Sequence, residues 1–200
     1  MGLKYNKPPC YLEPLYVRRN RKTTKMTVDQ LSLKENELYS TVMNLYKKDP
    51  VIPQSKETER KMEIIFNSYK DIHKEYADLA DKNDEALKRG LFIQWYAWTE
   101  PSWLTGIGLL DNLAMIKIIT IINDKIISNT IDAELKWMLN YYLNPAWVFA
   151  FDKFKGYQGI ASAIKNWTED RLPKNIDKIA MQKRGQMGIY WNSLTHFEQE

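Results

Sequence analysis

Large apolar residues are nowhere denser than between positions 91 and 127, LFIQWYAWTEPSWLTGIGLLDNLAMIKIITIINDKII. From Leu109 onward they fall at 109, 110, 113, 115, 116, 118, 119, 121, 122, 126 and 127. Stepped around a helix at about 100° per residue, these positions reach every side. A helix without a polar face is either the centre of a bundle or a membrane span. Asp111 and Lys117 decide between the two, since at mid-bilayer the pair would cost ~5–7 kcal/mol. The pattern therefore predicts a buried helix over 109–127, wrapped on all sides, and no membrane.

The remaining segments read as amphipathic helices able to cover that one. Thr27…Gln30 and Ser32…Glu35 both have capping-box spacing, and Leu38, Val42 and Leu45 continue a stripe that Asp49-Pro50 stops. A second helix opens near Ser55 with Met62, Ile65, Tyr69, Ile72, Tyr76 and Leu79 at alternating steps of three and four. The polar run DKNDE at 81–85 either breaks it or lies within one long helix. Helical character resumes over 91–99 until Glu100-Pro101 ends it. Further helices are expected after Thr130, from Asn144-Pro145, around Ile160–Trp167, and from about Lys174 to the end, where Gly185 and Gly188 can kink the chain. No strand pattern of useful length occurs. The expected fold is all-α, an irregular bundle of seven to eight helices around a central hydrophobic helix.

Residues 1–26 break this picture. Pro8, Pro9 and Pro14 impose extended backbone, and Lys4, Lys7, Arg18, Arg19, Arg21, Lys22 and Lys25 face only Glu13. This arm carries +6 of a chain whose net charge is +4, leaving the rest at −2. The expected organisation is an extended basic arm over 1–26 and one helical domain over 27–200. Arg18, Arg19, Arg21, Lys22 and Lys25 are the candidates for holding a polyanion such as nucleic acid. A helix-turn-helix is disfavoured, because the turn after the first helix holds two prolines and the next helix is long with an acidic start.

An apolar fraction of 44% supports a sizeable core without disulfides, which the lone Cys10 could not form internally. The opening MGLKYNKPPCYLEP lacks the apolar run of a signal peptide, and a cytoplasmic location fits. No Walker loop, G-x-S-x-G or Glu-x-x-His pattern is present, so no catalytic residue, metal ligand or cofactor is assigned. Enzymatic activity is not expected, although buried carboxylates leave it open. His73 and His196 read as surface or boundary residues beside carboxylates.

The most distinctive stretch is Trp95-Tyr-Ala-Trp98-Thr-Glu100-Pro-Ser-Trp103. Three indoles and a carboxylate flank a helix break, where orphan backbone groups collect. Trp95, Trp98, Glu100, Trp103 and Asp111 could line a pocket for a cationic ligand. A Trp-rich core corner with Glu100 capping the amides at 102–104 is the more ordinary reading of the same residues. Seven Trp and twelve Tyr suit large, rigid contact surfaces. The expected role is therefore binding of another protein, or of a second copy. A small-molecule pocket and a nucleic-acid arm are the alternatives.

Overall fold

The computed structural model describes residues 25–48, 55–168, 173 and 176–194. Among them are nine α-helices, one 3-10 helix and no strand. The fold is all-α, and one continuous hydrophobic core runs through it. Of the basic arm, only Lys25 and Met26 lie among the described residues.

Helix α1, Val28–Lys48, begins at the first of the two capping boxes. The Gln30 amide donates to Thr27 Oγ1 at 3.2 Å and the Thr27 amide to Gln30 Oε1 at 2.9 Å. The second pair is not a cap. Ser32 donates to the Lys183 carbonyl at 2.6 Å, and Glu35 is buried inside the bundle. Ser55 caps α2, Lys56–Leu79, which buries Met62, Ile65, Tyr69, Ile72 and Tyr76 as their spacing predicts. The polar run at 81–85 is a break, and Asn83 caps the next helix by accepting from the Ala86 amide at 3.0 Å.

That helix, α3, Asp84–Thr99, is the centre of the bundle, and every residue from Ala86 to Trp95 is buried. The sequence pattern pointed instead to 109–127. In the fold, α5, Asn112–Ile127, is a covering helix. It buries Ala114, Met115, Ile118, Ile119 and Ile122, and packs on α2, on α3 and on the later helix α7, Gln158–Lys165. Its other side is open, with Leu113 78%, Ile116 45% and Ile127 58% exposed, and Leu109 before it at 93%. A run that is apolar all round states that no face repels its neighbours. It does not state how many neighbours there are. Gly90 marks where α3 and α5 meet, for a Cβ there would lie 2.5 Å from Ile118 Cδ1.

After Pro101 a single turn, α4, Ser102–Thr105, ends at Gly106 with φ +77°. Helix α6, Ala133–Tyr142, starts at the Asp132 cap. Where Asn144-Pro145 suggested an α-helix, a turn leads into the 3-10 helix Val148–Phe154. The expected last helix is split into α8, Lys178–Gln182, and α9, Gly185–Leu194, by the positive φ of +61° at Gly185. Helix α9 then packs on α1, α3 and α8. No helix among the described residues is long and apolar enough to cross a membrane.

Candidate functional site

The residues singled out around the helix break do not share one pocket. Trp95 is 1% exposed and belongs to the core, stacked on Tyr142 at 4.6 Å and edge-on to Tyr190 at 5.4 Å. Trp103 stacks on Tyr46 of α1 at 5.6 Å, tying α4 to α1. Glu100 ends α3 and faces the tyrosines: its charge, after burial, helps keep the Tyr96 and Tyr141 hydroxyls protonated, and partial burial raises its own pKa. It does not cap α4, whose start has no side-chain cap. Asp111 is the N-cap of α5, accepting from the Leu113 and Ala114 amides at 3.0 and 3.1 Å, and these bonds hold its carboxyl below the ordinary value. Lys117 is not buried either, and pairs with Asp81 of the α2–α3 connection at 2.8 Å.

Trp98 is the member that borders open space. A cleft of about 390 Å³ lies between the end of α3, the 106–110 loop and the start of α5. Ala97, Trp98, Ile107, Leu109, Leu110 and Met115 form its apolar lining, and Lys153 of the 3-10 helix is the one ionisable side chain among its lining residues. The ammonium of Lys153 stands 4.3 Å from the Trp98 ring centroid and 3.8 Å from Met115 Sδ. The cation expected of a ligand at this indole is thus supplied by the protein itself. Nothing local in the sequence signals this contact, because Lys153 lies 55 positions from Trp98.

A second constellation, also invisible along the chain, ties α3 to α1, α6 and the C-terminal helices. Arg184 donates through Nε to Glu85 at 2.6 Å and through Nη2 to Glu134 at 3.0 Å. Lys88 bridges Glu134 at 2.6 Å and Asp132 at 2.7 Å, and Arg89 Nε reaches Glu85 at 2.7 Å. Three cations thereby match three carboxylates. Glu35 is the fourth carboxyl. It accepts from Tyr76 Oη and, at 3.1 Å, from the Gln186 amide at the start of α9. Burial pushes its pKa up to about 7, against the lowering effect of these two bonds and of Arg89.

No family model, curated protein or solved structure matches the chain. Function has to be read from these sites alone. Glu35 has the proton affinity of a general acid; it is fully buried and lines none of the clefts described here. His73 departs from its expected surface position. It is fully buried on α2 beside Gln94 of α3, neither ring nitrogen makes a well-formed hydrogen bond, and burial lowers its pKa to about 4. Ile72 and His73 both face inward because α2 is covered by α3 and α5 together. No group of three or more potential metal ligands occurs among the described residues.

Of the polyanion candidates, Arg18, Arg19, Arg21 and Lys22 lie outside the described residues, as does His196. Lys25 is exposed and borders a cleft with Val28, Leu79 and Glu85.

Proposed function

We propose that the chain is a non-catalytic helical binding protein whose partner is another protein, docked on the outer face of α5. One observation carries this reading: Leu113 and Ile116, three positions apart on α5, are exposed on the side opposite the face locked into the core, and Leu109 in the loop just before the helix is exposed as well. Scattered single apolar residues are ordinary at a surface, whereas neighbouring ones on one helical face mark a contact. Ridge-like aliphatic faces of this kind seat a partner's groove or a second helix.

The test is the triple variant Leu109→Ser, Leu113→Ser, Ile116→Ser. Leu109 and Leu113 stand mostly in solvent and Ile116 is 45% exposed, so far-UV dichroism is expected to be unchanged and the thermal midpoint to fall by only a few degrees. Affinity capture from the source cell should retain partners on the wild-type protein that the variant loses. Sedimentation velocity identifies a second copy as the partner if the wild type is a dimer and the variant a monomer. Identical retained proteins and identical sedimentation for both chains would remove the reading.

A further inference from the structure

The cleft beside Trp98 meets the outer apolar face only at Leu109 and differs from it in shape and chemistry. It is concave, its volume lies within the range of small-molecule sites, and its lining is apolar except for Ser102, Asn112 and the Lys153 ammonium. Three other clefts each include a residue that adjoins a segment outside the described residues: Thr168, Lys25 and Pro173. This one does not.

Its charge is unbalanced. Lys155, two residues on, is paired with Asp152 at 2.8 Å. Lys153 makes no ion pair among the described residues; its neighbours are an indole face and a thioether. Both interactions orient the ammonium without neutralising it. The residue is exposed, and the burial it does have lowers its pKa. Asp111 caps α5 and Glu100 sits on the tyrosine side, and neither lines the cleft.

We propose that this cleft binds a free, soluble amphiphile with one carboxylate, the carboxylate on Lys153 and an apolar chain or ring laid along Trp98, Leu110 and Met115. Charge decides the class. A cationic ligand would meet Lys153 at the very indole face it needs. A neutral apolar one would cover part of the ammonium and still leave it unpaired. A carboxylate supplies the missing partner through charge-assisted hydrogen bonds.

The experiment is isothermal titration of the full chain with decanoate, below its aggregation concentration, and with decanol as the neutral isostere. Wild-type protein is expected to bind decanoate saturably at one site and at least tenfold more tightly than decanol. Lys153→Met keeps the stem and removes the charge; it should weaken decanoate about tenfold and leave decanol unchanged. Sedimentation with phosphatidylglycerol vesicles separates a free ligand from a lipid surface. Equal affinity for the two ligands, an unaffected Lys153→Met, or binding to vesicles without binding to free decanoate would each overturn the proposal. The double variant Leu113→Ser, Ile116→Ser, neither of which lines the cleft, serves as a second control: it should lose protein partners yet keep the preference for decanoate over decanol.

Discussion

Glu35 and His73 make opposite predictions about pH, and the structure sets the size of each. Glu35 is enclosed by Tyr69 and Tyr76 from α2, Arg89 and Glu85 from α3 and the Gln186 amide from α9. Its carboxyl keeps its proton up to about pH 7 in the folded chain, against 4.5 ordinarily. Above pH 4.5 the unfolded chain therefore loses a proton that the folded chain retains, and stability falls as pH rises through 7. The loss is about 3 kcal/mol, two and a half pK intervals at roughly 1.4 kcal/mol each. His73 works the other way. Its folded pKa is about 4 against 6.5 ordinarily, so stability is present above 6.5 and is lost, again by about 3 kcal/mol, as pH falls to 4.

Between pH 4.5 and 6.5 the two slopes cancel, and the wild type is expected to show a plateau from this pair. Glu35→Gln keeps the shape and one acceptor oxygen while removing the titration. In urea unfolding followed by tryptophan fluorescence, the variant should gain on the wild type as pH rises from 5 to 8. The relative gain is about 3 kcal/mol, or about 1.5 M in midpoint if the denaturant slope is roughly 2 kcal/mol/M. It should also unmask the His73 limb, with stability climbing between pH 4.5 and 6.5. A wild-type-minus-variant difference that is constant across this range would refute the burial argument for Glu35.

Two further perturbations probe the architecture. Arg184→Met removes the shared partner of Glu85 and Glu134; the side chain is 11% exposed, and a loss of about 3–5 kcal/mol is expected in urea unfolding. Adding Glu85→Gln should recover part of that loss, and failure to do so would show that packing rather than charge sets the cost. Gly188→Ala would place a Cβ 1.7 Å from the Met181 carbonyl oxygen, which is backbone and cannot rotate away. Helix α8 is expected to undock from α9, read as loss of amide-exchange protection over 178–194 with protection of α2 retained.

Much of this fold was legible along the chain because its signals act within four residues. The Thr27–Gln30 box and the helix start at Ser55 are side chains satisfying amides three positions away. The stripe on α2 repeats every three or four residues and so announces both the helix and its inner face. What tertiary structure decided depends on partners far off in sequence. Lys88 and Arg89 look like solvent-facing residues, yet Asp132, Glu134 and Val28, 44 to 61 positions away, make their burial in α3 tolerable. The apolar α5 looks central, yet its neighbours cover only one side, and that leaves the exposed apolar residues on which the proposed function rests. Lys153 looks like any surface lysine until the fold brings it over Trp98. Local hydrogen bonding can be read from spacing; which surfaces face each other is settled only when distant segments compete to bury the same area.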